Sequence, residues 1–524
     1  MDAYDTYAEL DSPIAVESTA GNATRWRAMI FICISLMVIS IDGSILNVAL
    51  PSISRSLGAG ASELQWVVDA YILVFASLLL TMGALDDRIG RKRGLQIGLT
   101  LFALGSLGSA LSTTAGALTL MRAFMGIGGA LIMPATLSII NASFPAHERA
   151  RAIAIWAAIF GMGAGIGPLS GGLLLRLFSW QSIFLVNLPV VAVALIGGRV
   201  FISESRDEHA PAFDLPGVLL SIGGLFALVF AIISAGDAGW TAPQVLESFG
   251  LAVVLLAAFV YWESRTPNAM LPLRFFANPS FSLANVAVVL MTFSLFGTIF
   301  MLSQYFQSVL GYDPLTVGVI QLPVVIVMTF IATRSAAIAQ RFGTKRTVAM
   351  GALLTGLALL YLRLIAAVDT PYTSIFLMQI LFGLGLGLTT SPATNSVMQS
   401  LPIRKSGIGS AMNDMTRQIG GAMGVAILGS ILNGAYRASL SQPLQAVKEI
   451  PDTVRETILR SIQGANLVAL QLPGSASAIV GPSRVSFVLG MQQAVLLAGV
   501  VMLVSAVVTF AFLPDKVQRS SDTN

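Results

Sequence analysis

Apolar residues fall along this chain in long blocks separated by short polar breaks. They do not alternate as a half-buried strand would. Fourteen blocks come near the ~20 residues a helix needs to cross a hydrocarbon layer. They are 28–50, 63–85, 94–112, 116–142, 151–175, 181–202, 215–236, 246–263, 281–302, 314–338, 347–367, 372–398, 407–433 and 485–513. The pattern predicts an all-α polytopic membrane protein with fourteen transmembrane helices. The longest break, 434–484, has its own periodicity. A helix capped at Asp452 would place Val454, Ile458 and Ile462 on one face, an amphipathic segment for the outer membrane surface or over the path between the bundles.

Composition sharpens this picture. The 524 residues are 55% hydrophobic and 11% charged, with mean hydropathy +0.81. Soluble domains carry about 25% charged residues, so a conventional soluble fold is excluded. The net charge of +4 resides in short loops, not on one face, which argues against nucleic acid as a partner. Cys33, the one cysteine, lies inside the first block and reads as a small buried hydrophobe. His147 and His209 fall in loops without ligand spacing. No metal cluster, phosphate loop or nucleophile constellation is found, so the expectation is no enzyme, no cofactor and no metal. Residues 1–24 lack a basic stretch followed by a cleavage site, and no signal peptide is expected.

Lysine and arginine set the orientation. With the N-terminus inside, 20 of them lie at or near the cytoplasmic face, while the short outer loops hold only Arg55, Arg176 and Arg363. That asymmetry places both termini in the cytoplasm. The densest break is Gly83-Ala84-Leu85-Asp86-Asp87-Arg88-Ile89-Gly90-Arg91-Lys92-Arg93.

The chain also repeats itself. Asp87–Arg93 aligns with Gln340–Arg346 at an offset of 253, and Met121–Gly128 aligns with Met378–Gly385 at 257. At 257, Pro145 meets Pro402, Gly163 meets Gly420 and Gly167 meets Gly424. Together these predict two related six-helix bundles. The expected organisation is a cytoplasmic tail 1–27, a bundle 28–203, a linker 204–280 with two additional helices, a second bundle 281–513 that includes the outer loop, and a tail 514–524.

Five acidic or basic residues lie six or more residues from either end of a block: Asp42, Asp69, Arg122, Asp414 and Arg417. At about 1.5 Å per residue, the first three lie some 9–12 Å from the outer helix ends. Embedded charge is costly and marks water-filled paths or coupling sites. These groups fit either a protonation site or a static salt bridge. Glycines 161, 163, 165, 167, 171 and 172, with Pro168, give the fifth block a small-residue face for close helix packing. Trp66, Tyr71, Trp156, Phe160, Tyr305 and Phe306 are candidates to stack on an apolar cation in a substrate cavity.

Several of these strings resemble one family. The G-x-L-x-D-R-x-G-R-K spacing of Gly83–Lys92 is similar to the loop between helices 2 and 3 of the major facilitator superfamily. Ile41–Pro51 looks like the helix 1 signature of its fourteen-helix drug:proton antiporters, with Ser44 where they usually have threonine. Trp66–Tyr71 is similar to helix 2 of the quaternary-ammonium exporters in that branch, and Asp414–Gly421 to its helix 13. Gly163–Gly172 resembles the motif that separates exporters from importers. The resemblance implies a proton-coupled antiporter that exports amphiphilic compounds, lipophilic cations among them, by alternating access. It implies proton coupling at Asp42, Asp69, Arg122, Asp414 and Arg417, with Arg122 matching the family's helix 4 arginine. It implies a cytoplasmic gate of Gly83, Asp87, Arg88, Gly90, Arg91 and Lys92, in which Asp87 contacts the start of the helix near Ser406. Asp86 departs from the small residue usual there. The expected partners are the lipid bilayer, a small amphiphilic substrate and protons, with the chain a monomer in the cell inner membrane. The alternatives are a dedicated metabolite or antibiotic exporter, a proton-linked importer, or a non-transporting receptor or scaffold.

Overall fold

A computed structural model describes residues 22–59, 61–206, 214–266, 271, 273–401, 405–445, 451–472 and 475–514. Among these the regular structure is entirely helical. The first half comprises α1 (Asn22–Leu57), α2 (Ala61–Ile89), α3 (Arg91–Ala110), α4 (Ala115–Ser143), α5 (Ala146–Leu177), the short α6 (Ser182–Leu185) and α7 (Asn187–Phe201). A hairpin of α8 (Leu215–Ala238) and α9 (Pro243–Arg265) follows. The second half comprises α10 (Pro279–Gln304), α11 (Pro314–Ile320), α12 (Leu322–Phe342), α13 (Thr344–Ile365), α14 (Tyr372–Gln399), α15 (Ser406–Gln445), α16 (Asp452–Arg460), α17 (Ile462–Gln471) and α18 (Ala476–Phe512). A π turn, Tyr305–Val309, extends α10.

Local chemistry sets many of these boundaries. Thr114 caps α4 by accepting from the Ala117 amide at 3.2 Å, and Asp214 caps α8 by accepting from Gly217 at 3.1 Å. The expected single helix at 314–338 divides at Gln321 into α11 and α12. Pro323, in the first turn of α12, has no amide to continue the preceding turn.

Twelve helices among the described residues are long and apolar enough to cross a membrane. The two expected blocks outside that set, 94–112 and 151–175, are helices too: α3 and α5. Their composition is what separates them. α3 opens on Arg91-Lys92-Arg93, and α5 dilutes its apolar residues with charge at one end and glycine at the other.

Packing repeats between the halves. α1 lies against α5 and α7, and both α2 and α3 against α4. In the second half α10 lies against α15 and α18, and both α12 and α13 against α14. The turn before α3 and the turn before α13 are built alike. Gly90 (φ 109°) and Gly343 (φ 91°), 253 positions apart, both take a backbone conformation that favours glycine. One large apolar core is built mainly from the first half and reaches Val397, Ile408 and Met412 of the second, and another lies within the second half. The α8–α9 hairpin packs through α8 onto α2 and α15, one helix from each half.

The 434–484 break is mostly helical. α15 continues to Gln445, and α18 begins at Ala476. The expected amphipathic helix is split at Ser461 into α16 and α17, because Ser461 is extended and caps α17 through the Gly464 amide at 3.0 Å. Both helices are tied to the second half. Tyr436 Oη donates to the Ile458 carbonyl at 2.9 Å, and Gln463 Nε2 to Gln304 Oε1 at 2.9 Å. The Asp452 side chain, His209, Pro402 and the tail residues 1–21 and 515–524 lie outside the described residues.

Candidate functional site

Three acid–arginine arrangements organise the buried charge. The first joins α1 to α4. Arg122 Nη1 donates to Asp42 Oδ2 at 2.5 Å, and both side chains are 1% exposed. Arg122 Nε donates to the Val67 carbonyl at 3.3 Å, and its guanidinium lies 4.4 Å from the Tyr71 ring centroid. Asn187 Nδ2 lies 3.5 Å from Asp42 Oδ1 and donates to Ser106 Oγ at 3.1 Å. Each charged group therefore has several partners, which a desolvated ion pair requires.

The second arrangement lies on α15, where Asp414 and Arg417 are also buried. Three residues apart on one helix, they are spaced to pair. Among the described residues they form no ion pair within 4.0 Å. Arg417 Nη2 instead donates to Thr394 Oγ1 on α14 at 2.7 Å. Its guanidinium lies 5.5 Å from the Trp156 ring and 5.8 Å from the Phe160 ring, both on α5. Asp414 Oδ1 accepts from Asn413 Nδ2 at 3.1 Å and Ser410 also interacts with the carboxyl, while among the described residues Arg417 Nε has no hydrogen-bond partner.

The third arrangement closes the two halves on each other at the end carrying the Gly90–Arg93 turn. Both oxygens of Asp87 accept from the Gly407 amide, at 3.0 and 2.9 Å, and Oδ2 from Ile408 at 3.3 Å. A carboxylate is thus seated on the free amides at the start of α15. Arg91 Nε and Nη2 donate to Asp87 Oδ1 at 3.1 and 2.8 Å. A Cβ added at Gly83 would stand 2.5 Å from the Gly407 carbonyl oxygen, so only glycine permits this approach. Arg88 is exposed, and Lys92 Nζ donates to the Arg199 carbonyl at 2.9 Å, at the end of α7. Asp86 is fully buried against Gly94 rather than against α15.

Asp69 is not brought to the Asp42–Arg122 pair. It lines a cavity of about 350 Å³ between α2, α8, α10 and α15, with Gln418 and Ser430 on the α15 side. The aromatic candidates do not share one cavity. Trp66 is 45% exposed and stacks on Phe230 of α8 at 6.2 Å. Tyr71 belongs to the Arg122 site. Trp156 is buried, donates through Nε1 to Thr136 Oγ1 at 3.0 Å and stacks on Phe160 at 6.0 Å. Tyr305 and Phe306 are buried at the π turn, where Tyr305 Oη donates to the Ala367 carbonyl and bonds Thr370.

The glycine face of α5 packs on α1. Gly163 and Gly167 lie against Ser40 and Ser44, and Gly171 against Ile45. Ser40 Oγ donates to the Phe160 carbonyl at 2.6 Å, and Ser44 Oγ to the Gly163 carbonyl at 3.0 Å. Gly172 faces open space, and the Pro168 side chain lies outside the described residues.

Three participants escaped the sequence reading. Asn187 and Asn413 each carried a signal, an amide inside an apolar block. Glu204 carried none. Its carboxylate accepts from the Lys92 and Arg93 amides at 3.1 and 3.2 Å and so caps α3 from a distant loop.

Comparison with known proteins gives a consistent answer. Residues 32–425 match the family model described as Major Facilitator Superfamily. The chain is 34% identical over 499 residues to the multidrug efflux pump LfrA of Mycolicibacterium smegmatis, covering 94% of this chain and 98% of that one. It is 30% identical over 484 residues to the methyl viologen resistance protein SmvA of Salmonella typhimurium, covering 92% and 97%. Its fold is similar to that of the proton:xylose symporter XylE, with TM-score 0.61 at 12% identity, covering 95% of this chain and 97% of that one.

Proposed function

This chain belongs to the Major Facilitator Superfamily, and we propose that it is a proton-coupled antiporter exporting amphiphilic compounds, lipophilic cations among them. Relatives similar along nearly their whole length support export. One is named a multidrug efflux pump and another a resistance protein for methyl viologen. In this reading the chain is a monomer of the inner membrane with both termini in the cytoplasm. All fourteen helices cross, including α3 and α5. At about 1.5 Å per residue, the 20 residues of α3 reach about 30 Å and the 32 of α5 about 48 Å. The bundles are 28–203 and 281–513, joined by 204–280.

The observation that carries the mechanism is the open arrangement of Asp414 and Arg417. Asp42 is held by Arg122, whereas among the described residues Asp414 forms no ion pair within 4.0 Å and Arg417 is turned toward the other bundle. A buried carboxylate is stable when neutral or when paired. Proton loss from Asp414 therefore draws Arg417 back from Trp156 and Phe160. Those rings belong to α5, so the exchange alters a contact between bundles. The Asp87 seat on α15 holds the cytoplasmic side closed in this state. Release of that seat lets the bundles rock about the midplane.

The test is substrate-dependent proton movement in inside-out vesicles. Asp414→Asn should abolish it, with the protein still folded and still eluting as the parent does. Proton-coupled export that survives this change removes Asp414 from the mechanism.

A further inference from the structure

We infer that the inserted α8–α9 hairpin supplies one wall of a binding site for a compact organic cation, in the cavity that places Ile232 and Ile233 opposite Asp69. This inference rests on the export reading only for the direction in which the ligand moves.

The cavity measures about 350 Å³, near the lower end of the ~300–1,000 Å³ typical of ligand pockets, which favours a compact ligand. Asp69 stands about 27 Å along α2 from Asp87, and the lining on α15 runs from about 17 Å at Gln418 to about 39 Å at Asn433 from Gly407. Its walls are mostly apolar: Ile72, Ile232, Ile233, Phe296 and Phe300. Asp69 is the one carboxylate among the residues lining this half-open cavity. Acid at membrane depth marks a ligand or ion path, and an acid beside aromatic rings selects positive charge on an apolar body. The rings are accommodated by α15, where a Cβ added at Gly421 would stand 2.9 Å from the Phe296 ring.

The hairpin is fixed to this cavity rather than lying loosely beside it. Trp240, in the α8–α9 turn, donates through Nε1 to Ser430 Oγ at 3.0 Å, and Ser430 itself lines the cavity. Trp240 is braced by stacking on Phe249 of α9 at 6.1 Å. At the same end Phe230 of α8 stacks on Trp66 of α2 at 6.2 Å. Contacts to one helix of each half hold Ile232 and Ile233 in register with Asp69. On α15, Gln418 faces the cavity one residue beyond Arg417, so an occupant touches the helix that carries the open acid–arginine pair.

The test is equilibrium dialysis with the full-length protein in lipid nanodiscs, without a proton gradient. The probes are N-methylquinolinium and its neutral counterpart of the same shape, 1-methylnaphthalene. The cation should bind, and Asp69→Asn and Ile233→Trp should each weaken it about tenfold or more. Leu219→Trp, at a position on the same helix that is 63% exposed, should leave it within about twofold. Trp240→Phe keeps the stack on Phe249 and removes the donor, so it should weaken binding by about threefold. Should Ile233→Trp fail to fold, Ile233→Ala tests the same wall by enlarging it, and N-butylquinolinium should then gain on N-methylquinolinium. A wild-type protein that does not bind the cation overturns the inference. So does equal binding of the neutral probe, the behaviour of a niche for lipid chains, and so does indifference to Ile233→Trp or an unchanged butyl-to-methyl ratio in Ile233→Ala. Cation binding that persists while Asp414→Asn leaves proton coupling intact would sink the coupling mechanism and leave this site standing.

Discussion

The two halves of the molecule each bury an acid and an arginine, and they treat them in opposite ways. In the first half the partners come from different helices, α1 and α4, and meet at 2.5 Å. In the second they come from one helix at a spacing suited to pairing, and they stay apart. Sequence distance therefore does not decide which charges pair; the neighbours do. Tyr71, Val67 and Asn187 complete the Asp42–Arg122 site. Thr394, Trp156 and Phe160 offer Arg417 an alternative to its acid. The closed pair is suited to holding a bundle together, the open one to changing partners.

The largest effect should come from breaking the closed pair. Arg122→Gln leaves Asp42 buried without its cation, a loss of roughly 3–5 kcal/mol. Arg417→Gln removes one hydrogen bond and a ring contact but no ion pair, and should cost about 1–2 kcal/mol. Thermal unfolding of the two variants in the same detergent compares them directly. Equal destabilisation would mean that the two sites do not differ in the way their geometry indicates.

A smaller effect should follow at the third arrangement, where an acid of the first half is seated on a helix of the second. Asp87→Asn removes the charge from the seat on α15 and weakens the bonds to Gly407 and Ile408, by about 1.5–3 kcal/mol for a charged acceptor. Arg91 loses the charge of its partner, so some stability is lost, while this end of the interface between the halves opens more often. Ala411→Cys, close to Gly83 across this contact, reports the opening through its labelling rate in a Cys33→Ser background. Faster labelling, with a melting temperature that falls less than in Arg122→Gln, separates this seat from the Asp42–Arg122 pair. Slower or unchanged labelling would make Asp87 a packing residue like its buried neighbour Asp86.

Much of this was legible because apolar blocks and helix rise are local properties. Depth along α1 and α4 put Asp42 and Arg122 at one level, and there they meet. Depth alone misled for Asp69, which shares that level but not that side of α2. Tyr71, two residues on, faces Arg122, and two residues turn a helix by about 200°, so Asp69 faces the α8 side. The cap supplied by Glu204 and the ties of α16 and α17 to the second half depend on neighbours distant in sequence. The same holds for the swing of Arg417: nothing near position 417 names Trp156, 261 residues earlier.

That swing yields the finest test of the comparison. If the rings of α5 hold Arg417 away from Asp414, removing one ring should release it by an amount set by the contact, about 0.5–2 kcal/mol. Phe160→Leu is the suitable change. It keeps an apolar side chain, and the Phe160 backbone carbonyl still accepts from Ser40, so α1 and α5 remain joined. Trp156 stays buried and bonded to Thr136. With one ring gone, Arg417 spends more time near Asp414 and stabilises its charged form. The acid then gives up its proton at lower pH, and the pH profile of proton-coupled export should move to lower pH. Tyr71→Leu makes the matching change at the closed pair, where Asp42 already holds Arg122 at 2.5 Å, and the profile should not move. A shift of equal size in both variants would show that neither ring acts through its arginine. A shift in Phe160→Leu alone would place the adjustable charge in the second half.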